Sequence, residues 1–404
     1  MMKRLLPLLL ICTCITASAQ FKADNVKYTT VFPEDLCNAL RSNPNYVLLD
    51  VRSQAEYDDT MSASPSLNVG HLKNSMHIDI RQLPQRWKEL TAYKDRPLFV
   101  YCSHSQRSRR ASRLLADSGF TKIYNINGGL TNFYDQGIQS NPCAGYEIVS
   151  AFPYTIVSPR QLATEKKSYY IIDLRNDSLF NGLSLNEGPK SQGRFEDAVS
   201  YPFAKFSSAS AFTFPSKPIL LVDESGNESP QAAAILLQKG FKNVNVLFDG
   251  MQGWSDYYVN AAVKPSIKWK NYLDVGLISG DAFHQMVTSK KEFAVIDVRS
   301  KDEFSNKSKN YWQNIGNVQN AVNIPLADMP TSTTLPASKD RPVIVYGFNG
   351  DEDVFKAAYW LKAHGYTNVH ILEGGIWNLR WTSHNIKGKQ YLSGLVVNVP
   401  PENE

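Results

Sequence analysis

Short apolar runs bounded by polar turns alternate along this chain with longer stretches whose apolar residues fall at helical spacing. Three of the runs end in Asp-x-Arg: Val47–Arg52, Tyr170–Arg175 and Val295–Arg299. Each is followed by a glycine turning into a second run, at Gly70-His71-Leu72, Gly193-Arg194-Phe195 and Gly316-Asn317-Val318. A third apolar run comes next, at Leu98–Tyr101, Ile219–Val222 and Val343–Tyr346. A helical pattern then closes on Gly119-Phe120, Gly240-Phe241 and Gly365-Tyr366, and leads to turns at Gly128-Gly129, Asp249-Gly250 and Gly374-Gly375. Four landmarks in one order, three times over, predict three copies of one unit. Buried strands alternating with amphipathic helices predict an α/β fold, each copy a mostly parallel central sheet flanked by helices. Pro142 and Pro265 interrupt the pattern and place linkers near 140–150 and 263–270. The units are therefore drawn at 21–145, 150–262 and 270–390, with 391–404 trailing off as a tail.

The first residues break the pattern. Lys3 and Arg4, the apolar Leu5–Ile15 and the small Ala17-Ser18-Ala19 read as an export signal over 1–19, with Gln20 opening the mature protein. Neither Cys12 nor Cys14 follows the residues of a lipoprotein site, and no stretch is long enough for a membrane span. The expected location is periplasmic or secreted. A net charge of +5 on 404 residues calls for neither nucleic acid nor a membrane surface as partner. Five cysteines, two of them in the signal, exclude a disulfide scaffold. Cys37 and Cys143 lie near the two ends of the first unit; pairing of the two and a fully reduced state both remain open.

The candidate chemistry sits in Cys102-Ser103-His104-Ser105-Gln106-Arg107-Ser108, between the buried run ending at Tyr101 and a helical pattern through Ala111, Leu114 and Leu115. A helix N-terminus offers amide donors without intrahelical partners, which stabilise a thiolate and an anion beside it. Arg107 adds a permanent charge with planar donors. That combination suits a nucleophilic cysteine attacking an anionic substrate, and it requires that the donor reach the sulfur. A buried, inert core cysteine is the competing reading.

Asp50-Val51-Arg52 with Glu56-Tyr57 after it, Gly70-His71-Leu72, Cys-x-x-x-x-Arg-Ser and the late Gly-Gly resemble the landmarks of the rhodanese family, in order. The resemblance implies three tandem rhodanese-like domains. It implies that Cys102 takes a sulfane sulfur from thiosulfate or a persulfide, holds it as a persulfide, and passes it to cyanide or a thiol, a protein acceptor included. It implies no metal and no organic cofactor. By position, Ser103 to Arg107 cradle the sulfur and the sulfonate, Arg107 orients the anion, and Ser108 caps the helix. Arg52 and Glu56 are expected to be structural, a charge pair supporting the first loop. Ser105 stands where single-domain members often carry glycine, which restricts the loop or narrows its mouth.

The other copies depart at the decisive position. Asp223 replaces the nucleophile and Glu228 the arginine in the second; in the third, Gly347 or Phe348 replaces it, depending on whether strand or helix sets the alignment. Both are expected to be inert. A phosphatase or arsenate reductase is the second reading, disfavoured because such loops hold one more residue between cysteine and arginine. A binding scaffold is the third, since two of three loops have lost their thiol. His104 either assists proton transfer or, the preferred reading, points to water. Arg109, Arg110 and Arg113 are read as a solvated helix face rather than an anion-steering collar, and His71 as a turn residue. Asp351, Glu352 and Asp353 are read as solvated loop charge rather than a cation site, and Trp254, Trp377 and Trp381 as packing.

Overall fold

The computed structural model describes residues 27–138, 146–165, 167–182, 193–260, 265, 267–289, 291–350, 352–383 and 394–400. The signal segment 1–19, Cys143 and Asp351 lie outside these residues. Three five-stranded sheets carry the chain, and every strand pair within them is parallel. In the first, the order across the sheet is Thr29–Val31, Ile123–Ile126, Leu98–Tyr101, Val47–Asp50, Met76–His77. The second repeats it as Thr155–Val157, Val244–Leu247, Ile219–Val222, Tyr170–Asp173, Val199–Ser200. The third runs Gly276–Ile278, Val369–Leu372, Val343–Tyr346, Ala294–Asp297, Val322–Asn323. Parallel strands need crossovers, and helices on both faces leave the central strands no solvent side. That is why Leu98–Tyr101, Ile219–Val222 and Val343–Tyr346 are apolar at nearly every position and buried throughout.

The Asp-x-Arg landmark is a buried clip repeated in each unit. Arg52 Nη2 donates to Asp50 Oδ2 at 2.8 Å and to the Gly70 carbonyl at 2.7 Å. Arg175 holds Asp173 and Gly193, and Arg299 holds Asp297 and Gly316, in the same way. A charge taken out of water keeps its place only when paired and hydrogen-bonded, and here the pair also fixes the glycine turn. His71 is structural too: its ring stacks on Tyr57 with centroids 4.1 Å apart.

The linkers and the tail are corrections. Ile148–Val149 pairs antiparallel with His71–Leu72, Trp269–Asn271 with Gly193–Phe195, and Val396–Val397 with Asn317–Val318. Each segment drawn as linker or tail thus returns to the unit it was leaving and adds a two-stranded ribbon. The reason is apolar surface left to bury. Tyr146 packs edge-on to Phe133, Trp269 against Phe195 and Trp254, and Leu395 is 1% exposed. Trp254, fully buried, is packing as read.

The units touch one another in turn. Tyr134 stacks on Phe248 at 4.8 Å, and Ser66 N donates to Asn227 Oδ1 at 3.2 Å, joining first to second. Ser255 Oγ donates to Glu373 Oε1 at 3.2 Å, joining second to third. His104 meets Trp381 edge-to-face at 5.3 Å, joining first to third. Cys37 is disulfide-bonded, which removes the fully reduced alternative, and Cys102 is the free cysteine among the described residues. Among the described residues, no helix is long and apolar enough to cross a membrane.

Candidate active site

Cys102 directly follows the central strand Leu98–Tyr101, and helix Gln106–Asp117 starts four residues later. Its sulfur accepts the Ser105 amide at 3.1 Å and lies 3.6 Å from Ser108 Oγ. Cys102 shares a buried apolar cluster with Val51, Val100 and Ala111, so half of the inert-core reading is true; its sulfur meets the Ser105 amide and the Ser108 hydroxyl. The residue is 1% exposed. This corrects the expectation of open access: Ser103 and Ser105 are buried beside it, and His104 and Gln106 form the exposed crest of the loop that seals it.

Ser105 holds the sharp turn. Its φ is 86°, in the region that favours glycine, and its hydroxyl compensates by bonding Asn127 Oδ1 at 3.1 Å and accepting the Gly128 amide. Gly129 must be glycine for a second reason. A Cβ there would stand 2.2 Å from the Cys102 carbonyl oxygen, the closeness that lets Leu130 N donate to that oxygen. Asn127 also accepts Arg109 Nη2 at 3.0 Å, so Arg109 braces the loop while Arg110 and Arg113 face solvent.

Arg107 and Glu56 form the electrostatic frame. Arg107 donates to Glu56 Oε2 at 2.5 Å and Oε1 at 2.6 Å, and to Ser103 Oγ at 2.7 Å. Glu56 is buried, and burial alone would raise its pKa. Arg107 and the Ser53 capping box outweigh that and bring it down to about 2. Arg52 and Glu56 are therefore not paired with each other: Arg52 belongs to the clip with Asp50, and Glu56 clasps the loop arginine. Ser108 is not the cap either. It lies inside the first turn, and its hydroxyl donates to the Ser105 carbonyl at 3.0 Å.

The same network reaches His104. Arg107 donates to Ser103 Oγ, which lies 2.7 Å from His104 Nδ1. His104 Nε2 lies 3.2 Å from Thr131 Oγ1, so both ring nitrogens have a hydroxyl partner. Desolvation by the protein packed around the ring, with Arg107 nearby, pushes the imidazole down to about 4 although one edge of it reaches solvent. The ring reaches solvent, as read, while both of its nitrogens also meet loop hydroxyls. Thr131, Asn127, Glu56 in its clasping role and Trp381 in its contact with His104 are parts of the site that the sequence reading missed. The Gly-Gly turn was the signal for the first two, since it brings the following helix against the loop.

The second unit shows what the cradle binds. Met251 N and Gln252 N donate to Asp223 O and Glu224 O as Leu130 N and Thr131 N do to Cys102 O and Ser103 O, which matches the loops residue by residue. Asp223 turns its carboxylate into its own cradle, accepting from Gly226 N at 2.8 Å, Glu228 N at 2.5 Å and Ser229 N at 3.1 Å. An anion already fills that loop. In the third unit, Ile376 N donates to Gly347 O and Trp377 N to Phe348 O, so Gly347 takes the place of Cys102 and the strand alignment is the right one. Phe348 packs between Trp312 and Trp377, which is about half exposed. Among the described residues, no group of three acidic, histidine or cysteine side chains is placed to hold a metal.

The family model for the Rhodanese-like domain matches three times, at residues 33–136, 158–257 and 279–380. Among curated proteins, the tRNA uridine(34) hydroxylase of Cronobacter sakazakii is 30% identical over 100 residues, 24% of this chain and 26% of that protein. The Escherichia coli K12 protein of the same name is 29% identical over 100 residues, with the same coverage. The chain thus spans about a quarter of the length of these relatives. Among solved structures, a thiosulfate sulfurtransferase from Pseudomonas aeruginosa is 15% identical, covering 92% of this chain and 69% of that one at a TM-score of 0.22. A rhodanese-related protein from Thermoplasma volcanium is 29% identical over 27% of this chain and 94% of its own, also at 0.22. With the landmarks of the sequence, the threefold parallel sheet and the three family matches in agreement, this chain belongs to the rhodanese family, as three tandem rhodanese-like domains.

Proposed function

We propose that the protein is an exported sulfurtransferase whose first domain alone carries sulfur. The Cys102 thiolate attacks the sulfane sulfur of thiosulfate or a persulfide; the new S–S bond forms as the bond to sulfite or to the donor thiolate breaks. The bound sulfur then passes to a thiol or to cyanide, and Cys102 returns to its thiolate. The observation that carries this reading is Asp223, whose carboxylate takes the amides of Glu228 and Ser229. Their counterparts Arg107 and Ser108 stand in the first turn of the catalytic helix beside a sulfur, where first-turn amides have no intrahelical acceptor. A cradle that holds a carboxylate in one domain suits a thiosulfate sulfonate or a terminal persulfide sulfur in its neighbour.

Because Cys102 is sealed, each turnover needs the crest at His104 and Gln106 to move aside. The donor and the acceptor are tested by thiocyanate release from thiosulfate and cyanide, with glutathione persulfide and dithiothreitol as an alternative pair. Turnover by the wild type and none by Cys102→Ser supports the reading; equal rates in both, or none with any pair, overturns it. Export is tested by N-terminal sequencing of the protein recovered outside the cytoplasm, with Gln20 as the expected first residue.

A further inference from the structure

The helix after the glycine turn has the same task in each domain: it docks on the next domain. Leu130 N, Met251 N and Ile376 N donate to the loop carbonyls of Cys102, Asp223 and Gly347, which aligns the helices Gly129–Asp135, Gly250–Asn260 and Gly375–Thr382 residue by residue. Tyr134 and Ser255 therefore stand at one helix position, and Trp381 at the next position along. Tyr134 stacks on Phe248 of the second domain, and Ser255 donates to Glu373 of the third. Phe248 and Glu373 match as well, since each stands two residues before the glycine that opens its own helix. The residue at that place in the first domain is Asn127, bonded to Ser105, and beside Ser105 the third domain's Trp381 meets His104. Contacts of one head-to-tail kind, repeated until the last unit meets the first, close a ring. The closing contact is the one that falls on the sulfur loop.

His104 is held at three points. Ser103 Oγ and Thr131 Oγ1 meet its nitrogens at 2.7 and 3.2 Å from within the first domain, and the Trp381 ring meets it edge-to-face at 5.3 Å from outside. Cys102 is 1% exposed under this crest, so a donor reaches the sulfur only after the crest moves, and moving His104 breaks its contact with Trp381. The indole does not travel with the loop, because its helix is anchored through Ile376 and Leu379 in the core of the third domain. We propose that Trp381 is a specificity-determining residue for sulfur transfer. By closing the ring it limits the opening above Cys102, and so confines the thiol to small donors and acceptors such as thiosulfate and cyanide. Bulky persulfides and protein thiols are held off. The choice of substrate rests on the sulfur-transfer reading; control of access to the thiol does not.

The test is alkylation of Cys102 in the full mature chain, read by peptide mass, with N-methylmaleimide and with the much bulkier N-pyrenylmaleimide. Trp381→Ala should speed the small reagent roughly two- to tenfold, the weight of one edge-to-face aromatic pair, and the bulky reagent by more. Trp381→Leu keeps an apolar side chain without the ring, and should show the same shift if the alanine variant fails to fold. Trp377 lies on the same helix, about half exposed and packed on Phe348, and Trp377→Ala should leave both rates unchanged. A bulky-to-small rate ratio raised by the Trp381 variants alone supports the proposal. A ratio that stays fixed in a folded Trp381 variant, or rises equally in Trp377→Ala, overturns it. In turnover, the Trp381 variants should raise kcat/KM for glutathione persulfide relative to thiosulfate, and an unchanged preference overturns the assignment of specificity. Alkylation transfers no sulfur, so an inactive wild type would defeat the catalytic reading and leave the access result to be judged by itself.

Discussion

Asp223 Oδ1 and Cys102 Sγ occupy matching positions in their cradles, and the two side chains leave their loops in opposite states. The carboxylate accepts three amides and the Ser229 hydroxyl, whereas the thiol accepts the Ser105 amide. Asp223→Ala should strip those donors of their acceptor and cost about 1–3 kcal/mol of stability. Urea denaturation measures the loss, and sulfur transfer at Cys102 should persist. Glu56 makes the complementary case. Its carboxylate is held at about 2 by Arg107 and Ser53 after the cost of burial, so its contribution is present above its ordinary 4.5 and is lost as pH falls from there toward 2. Discounted for the solvent reaching Arg107, that contribution is about 1–2 kcal/mol. Glu56→Gln should flatten the acid limb of the urea midpoint against pH and slow persulfide formation, because Arg107 loses its anchor.

Ser105 links the residue to its element. The turn from strand to helix needs a positive φ, which glycine adopts without strain, and the serine meets the need through Asn127 and Gly128. Ser105→Gly should trade about 1 kcal/mol of relieved strain for hydrogen bonds of similar worth. Stability should barely change, and alkylation of Cys102 by iodoacetamide, read by mass, should quicken as the loop loosens. Elements of this kind explain what the sequence showed and what it hid. The central strands were legible because parallel sheets covered on both faces demand unbroken apolar runs, as in Leu98–Tyr101. The Asp-x-Arg clip was legible as a repeat, though not its acceptor, since the carbonyl of Gly70 is brought to Arg52 only by the fold. The ribbon strands were hidden: Ile148–Val149 and Val396–Val397 are two residues long, too short for a period to show. The pairing of Glu56 with Arg107 was hidden for another reason, because it joins residues far apart in sequence that no local pattern relates.

At the scale of the molecule, three copies of one fold differ in what fills each loop, a thiol, a carboxylate or a glycine backed by an aromatic cluster, and the proposed function divides their roles accordingly. The second domain's filled loop is also a docking surface, since its Asn227 receives Ser66 of the first. The disulfide at Cys37 ties down the helix Pro33–Ser42 of the first domain. Cys37→Ser should therefore cost about 2–4 kcal/mol, read as a lower urea midpoint, while the loop chemistry survives in the folded fraction. The division of roles is tested most directly by intact mass and peptide mapping after the mature chain is incubated with thiosulfate and desalted. The account predicts one added sulfur per chain, carried on Cys102, absent from Cys102→Ser and removed by cyanide. A chain that gains no sulfur while its thiol stays reduced, or that gains it at any other residue, contradicts it.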